Sequence, residues 1–143
     1  MKISDRYELR DGAINGGMSS VFPYFDKVLE RNVALKVVPP GPNARRMQDE
    51  LAALFKMRSK HVVQVYDVIS DSAGIGILQE FIDGDDLFSD LLIPKSADEY
   101  LKMIWQIAAG ISDIHQAGLI HRDIKPNNMK VDHEGILKIF DFG

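Results

Sequence analysis

The apolar residues of this chain change their spacing along its length, and that change limits the folds open to it. Up to about residue 82 they fall in short, β-branched runs separated by turn residues. Tyr7 to Ile14 reads as a strand, Asn15-Gly16-Gly17 as a tight turn, and Val21 to Asp26 as the returning strand. Val33 to Val38 is a third strand, stopped by Pro39 and Pro40. Met47, Leu51 and Leu54 then recur at helical spacing between about Arg45 and Met57, after a breaker-rich segment, Pro39 to Asn43. Val62 to Ile69 and Gly76 to Phe81 return to the strand pattern, giving five strands with one helix between the third and fourth.

Beyond Gly84 the pattern turns mainly helical. Ser96-Ala97-Asp98-Glu99 is a capping-box signature, and Leu101, Ile104, Ile107, Ala108, Ile111 and Ile114 form an apolar stripe behind it. Leu119-Ile120, Met129 to Val131 and Leu137 to Ile139 read as short strands, with Asp132 to Gly135 as the turn between the last two. A second breaker-rich segment, Ile93 to Ser96, precedes the long helix.

Charge narrows the function classes. Lys and Arg number 17 against 21 Asp and Glu, so no basic excess points to nucleic acid. Residues 1–60 carry 11 basic and 7 acidic side chains, whereas residues 61–143 carry 6 and 14. The acidic second part fits either a solvated face or a site that takes metal ions or a basic partner. With no cysteine, thiol catalysis, disulfides and Cys-based metal sites are excluded. No apolar run approaches the roughly 20 residues that span a bilayer. No signal-peptide core follows Met1-Lys2-Ile3-Ser4-Asp5-Arg6, so a cytoplasmic location is expected.

The densest polar cluster is His121-Arg122-Asp123-Ile124-Lys125-Pro126-Asn127-Asn128, between two apolar runs. Asp141-Phe142-Gly143 begins 13 residues after Asn128. Two Asp and one Asn between short strands are hard oxygen ligands, suited to magnesium with a phosphate substrate, and Lys125 could neutralise a phosphoryl group. The same residues also suit a polar loop held by Asn and Asp turn bonds.

In order and spacing these segments resemble the protein kinase family, in its Ser/Thr branch. His121-Arg122-Asp123-x-Lys125-x-x-Asn128 is similar to the catalytic loop, Asp141-Phe142-Gly143 to the metal-binding motif, and Val33-Ala34-Leu35-Lys36 to the third-strand motif. The resemblance implies an α+β kinase-like fold. Residues 1–82 would be an N-terminal lobe, a five-stranded antiparallel sheet with one inserted helix. Residues 83–143 would be a partial, mainly helical C-terminal lobe, cut at the metal-binding motif.

The resemblance also implies roles. Asp123 would orient or accept the substrate hydroxyl proton, and Lys125 would face the γ-phosphate. Asn128 and Asp141 would hold magnesium, and Lys36 would contact the α- and β-phosphates of ATP. Glu50, eleven residues before His61, is the expected acidic partner of Lys36, with Asp49 as its neighbour. Gln79 would gate a back pocket. The backbone of Glu80 and Ile82 would bond adenine, and Asp86, rather than the nearby Asp83 or Asp85, would reach the ribose. Val21 and Ala34 would cover the adenine ring.

Three departures stand out. The family's Gly-x-Gly-x-x-Gly-x-Val appears as Ile14-Asn15-Gly16-Gly17-Met18-Ser19-Ser20-Val21, which keeps only Gly16 of the three glycines. A Cβ at Ile14 or Ser19 limits how closely backbone approaches phosphate, although Gly17 could still donate an amide. Lys130 stands where the family has an apolar floor under adenine. The sequence also ends at Gly143, before the segments that bind a peptide substrate in the family. The expected function is ATP-dependent phosphorylation of Ser or Thr on protein substrates by a full-length form. The alternative is a non-catalytic nucleotide-binding or protein-interaction module. A second chain or a C-terminal segment would be expected to cover the long helix.

Overall fold

The computed structural model describes residues 1–12, 14–16, 19–87, 89 and 93–142. The chain forms two compact units, residues 1–55 with 64–81, and residues 56–63 with 82–142.

The first unit is an antiparallel sheet. Its strands are β1 (Tyr7–Leu9), β2 (Ile14–Gly16), β3 (Ser19–Asp26), β4 (Arg31–Val38), β5 (Val65–Asp71) and β6 (Gly74–Glu80). The order is β1-β3-β4-β6-β5, and β2 also pairs with β3, so the sheet is five strands wide. The expected strand from Tyr7 to Ile14 is broken. Leu9 pairs with Tyr24 and Ile14 with Val21, so the ladder along β3 is interrupted between these pairs. The Arg10 N–H donates to Pro23 O at 2.8 Å, but Pro23 has no N–H to return, and the regular ladder stops there. Asn15 and Gly16, expected in a turn, are strand residues opposite Ser20 and Ser19, carried there by the Ile14–Val21 register. Gly17 lies outside the described residues.

Val33, Leu35 and Leu78 form the buried centre of one sheet face, with Ile3, Tyr7, Phe22, Tyr24, Val37 and Tyr66 packed around them. Helix α1 spans Pro42–Lys56 and buries Ala44, Leu51 and Leu54. It starts three residues earlier than the apolar spacing predicts. Proline is tolerated in a first helical turn, because the N–H it lacks would have no partner there. At the far end of the sheet the Asp26 carboxylate, with no exposed surface, takes a bidentate bond from Arg6 at 2.6 and 2.5 Å and the amides of Val28 and Leu29. Arg6 above all holds Asp26 far below the usual carboxylate range.

The second unit is built on α2 (Ala97–Gln116) and a three-stranded antiparallel sheet of β7 (Gly84–Asp86), β8 (Met129–Asp132) and β9 (Leu137–Ile139). The predicted cap is present, since Ser96 Oγ accepts the Glu99 N–H at 3.2 Å. Of the apolar stripe, Ile114 is buried, Ile107 and Ile111 are half-buried, and Leu101 and Ile104 are exposed. Trp105, off the predicted stripe, is 67% exposed. Gln106 fastens the helix to the β8–β9 turn, accepting the Leu137 N–H at 2.8 Å and donating to the Gly135 carbonyl. Gly110 lets α2 approach the backbone of His61, where any side chain would crowd the His61 carbonyl.

Two strand assignments change here. Val62 and Val63, expected to open β5, join this unit instead, together with His61. The Ile139 N–H donates to His61 O, the Val63 N–H donates to Ile139 O, and the His61 ring N–H donates to Leu137 O at 3.0 Å. Leu119-Ile120 forms no strand. The Leu119 N–H donates to Ile114 O at the helix exit, which leaves Ile120 exposed. Strand β7 was not expected. A Cβ at Gly84 would lie 2.0 Å from the Val131 carbonyl, so only glycine permits that approach. Among the described residues, no helix is long and apolar enough to cross a membrane.

Candidate active site

In the second unit, the chain from Leu119 to Asn128 is held in place by a buried imidazole. His121 is 2% exposed. Its Nδ1 accepts the Asp123 N–H at 3.1 Å, so Nε2 carries the proton and donates to the Phe140 carbonyl at 2.7 Å. The ring also lies against Phe142, with centroids 4.8 Å apart. One side chain thus ties the loop bearing Asp123 to the segment bearing Asp141. The reading of the sequence gave His121 no role. Its place at the head of the loop motif, after an apolar run, was the signal for it.

Backbone strain marks the same place. Arg122 and Asp141 both lie in the left-handed region, at φ 71° and 55°. Non-glycine residues hold such angles only where their surroundings dictate it. Here the His121 bonds and the bond from the Phe140 N–H to Asn128 O, 3.0 Å, supply that constraint.

Asn128 closes a single 3-10 turn over Pro126–Asn128 and is 5% exposed. Its Nδ2 donates to the Asp123 carbonyl at 2.9 Å and to Asp123 Oδ2 at 3.1 Å. Both partners are acceptors, so the amide must turn its NH2 toward them and its Oδ1 away. Lys125 Nζ lies 3.2 Å from the same Oδ2. The bond from Lys125, and after it that from Asn128, hold the Asp123 carboxyl below its usual range, against a desolvation that would raise it. Two donors therefore converge on Oδ2, and Oδ1 of the exposed Asp123 has no partner among the described residues.

A divalent cation here would draw on a small set of oxygen donors. Asn128 offers an amide oxygen, and Asp141 follows directly on the Phe140 amide that bonds the Asn128 backbone. No group of three or more His, Asp or Glu gathers among the described residues. Few protein oxygens suit a hard ion that shares its coordination with phosphate and water, and do not make an all-protein cage. The residues fit such an ion.

Lys130 and Asp86 are direct cross-strand partners on β8 and β7, with Nζ 4.0 Å from Asp86 Oδ1. Ile82 is half-buried.

In the first unit, Lys36 is 6% exposed in the middle of β4, opposite Val21 and Ile77. Ala34, also buried, faces Pro23 and Gln79. Glu50 is half-buried on α1, and its neighbour Asp49 is exposed. The backbone of Ile14 and Gly16 is in β2, while Gly17 falls outside the described residues. The Glu80 N–H donates to Gln64 O at 2.8 Å, so its carbonyl is the backbone group it could offer a base.

The chain is similar to known proteins over most of its length. The family described as "Protein kinase domain" matches residues 13–143. A Corynebacterium efficiens protein named "Serine/threonine-protein kinases drp72" is 42% identical over 142 residues, covering 90% of this chain and 27% of that one. The Corynebacterium glutamicum kinase PknA is 40% identical over 144 residues, covering 90% and 30%. The Bacillus subtilis kinase PrkC is 31% identical over 149 residues, covering 99% and 23%. The chain therefore belongs to the protein kinase domain family. It spans less than a third of the length of these relatives.

Proposed function

We propose that this chain carries nucleotide- and magnesium-handling machinery of a Ser/Thr protein kinase, which in its full-length form transfers the γ-phosphoryl group of ATP to a Ser or Thr hydroxyl. The observation that carries the reading is the convergence of Lys125 and Asn128 on Asp123 Oδ2. It leaves Oδ1 to receive the hydroxyl, with the carboxylate fixed in orientation. Because its pKa is depressed, Asp123 is a weak base. It orients the hydroxyl and takes the proton late, as a loose phosphoryl-transfer transition state allows. Lys125 neutralises charge on the transferring group, and its position two residues after Asp123 favours the Ser/Thr branch. Lys36 holds the α- and β-phosphates, with Glu50 as the acid that positions it. Asn128 Oδ1 and Asp141 would hold magnesium, whose charge would offset that of the phosphate oxygens.

The test is phosphate transfer to a Ser/Thr peptide by a longer form that contains this chain. Asp123→Asn should lower kcat by about 10²- to 10⁴-fold. Unchanged transfer would refute the assignment. A second reading, binding without turnover, draws on Lys130 and on the exposed Leu101, Ile104 and Trp105 of α2. Nucleotide binding with no transfer by the longer form would favour it.

A further inference from the structure

Lys130 sits at the centre of a charged row on the second unit's sheet. Directly opposed residues of antiparallel strands share a face, and the register sets Asp86 against Lys130 and Lys130 against Lys138. Met129, Leu137 and Ile139 are all buried, so those three positions of the sheet are given to packing. Two lysines side by side across strands repel. That repulsion directs the Lys130 ammonium away from Lys138 and toward Asp86 Oδ1, 4.0 Å away. The ring of Phe140, with its centroid 5.9 Å from Nζ, provides a further attraction that holds the ammonium near the sheet. Lys130 is also less exposed than its partner, 29% against 65%, so its stem is covered while its head reaches the acid.

We infer that Lys130 is a specificity-determining residue that occupies Asp86, so that nucleotide is taken with little discrimination at the sugar. The inference rests on the proposed function, in which Asp86 is the acid that would meet the ribose hydroxyls. The second Asp86 oxygen can still accept, but the ammonium offsets the negative charge that the whole carboxylate offers a hydroxyl, so the gain from a ribose hydroxyl is smaller. Lys130 thus acts on the ligand through Asp86.

The test compares the affinity of the 143-residue chain for magnesium-ATP with that for its 2′,3′-dideoxy analogue. The ratio cancels everything the two nucleotides share, including their phosphates and the metal. The wild-type chain should bind them within about threefold. Lys130→Met keeps the stem and removes the charge, and should create a preference for ATP of about tenfold. Lys130→Arg, which keeps the charge, should hold the ratio near the wild-type value. A wild-type preference of about tenfold or more, or a ratio that Lys130→Met does not move, would overturn the inference and leave the kinase reading intact. Failure of the wild type and Lys130→Met to bind either nucleotide would contradict the kinase reading, and the inference with it.

Discussion

Gly110→Ala sets two effects against each other at one atom. Alanine is favoured over glycine inside a helix by about 1 kcal/mol. The new Cβ, however, would lie 2.8 Å from Ile139 Cδ1, 3.0 Å from the His61 carbonyl oxygen and 3.2 Å from His61 Cβ. The Ile139 methyl can swing aside. The His61 carbonyl is held, because it accepts the Ile139 N–H at 2.9 Å, and α2 is pinned to β9 by Gln106. Overpacking of a fixed neighbour costs about 1–3 kcal/mol. The net expectation is a loss of about 1 kcal/mol, or about 3 °C in melting temperature for a chain of this size. Gly110→Val adds two further methyl groups and should cost clearly more. Melts followed by circular dichroism measure both. A higher melting temperature for Gly110→Ala would mean that helix preference prevails and that the approach of α2 to His61 is not constrained as described.

Other outcomes follow from the loop and its surroundings. Asn128→Asp places a carboxylate where the NH2 now donates to two Asp123 oxygens, so the melting temperature should fall and be partly restored by millimolar magnesium; no loss, or no recovery, would count against the assigned amide orientation. Asp123 has its pKa lowered chiefly by Lys125, so its contribution to stability is complete above the ordinary carboxylate range, about pH 4, and disappears as pH falls through the lower folded value. Lys125→Met should therefore move the acid limb of kcat/KM in the longer form up toward about pH 4, and an unmoved limb would contradict the pairing. His133 has its pKa raised by Asp83, 3.0 Å away, so that pair stabilises most fully below about pH 6.5 and loses its effect as pH rises through the higher folded value. Asp83→Asn should flatten the small fall in melting temperature between about pH 6.5 and 8, and an unchanged slope would refute the contribution.

The sequence was informative where the signal is local. Ser96 caps α2 as its spacing with Glu99 predicts, although the Glu99 carboxylate accepts from Lys95 N–H rather than from the cap residue. The order of strands and helices could be read from changes of period, and the loop residues from their tight spacing. What could not be read depends on partners distant in the chain. Nothing near Tyr7 announces that Pro23 will interrupt its ladder. Val62 and Val63 have the composition of a strand opening, yet with His61 their backbone pairs with Ile139. Gly84-Asp85-Asp86 carries no strand pattern and becomes a strand only because β8 lies beside it. His121 could be seen as part of a motif, but its joint hold on Asp123 and Phe140 is a three-dimensional fact. Which backbone group Glu80 can offer depends on Gln64, sixteen residues earlier, whose carbonyl takes the Glu80 N–H.

The most direct test of the central claim is a thermal melt of the 143-residue chain with and without magnesium-ATP, repeated with chelator and with Lys36→Ala and Asp141→Ala. A ligand that binds only the folded chain raises its melting temperature. The account predicts a rise with magnesium-ATP that chelator reduces and both substitutions abolish. A melting temperature indifferent to magnesium-ATP, or a rise that survives both substitutions, would contradict it.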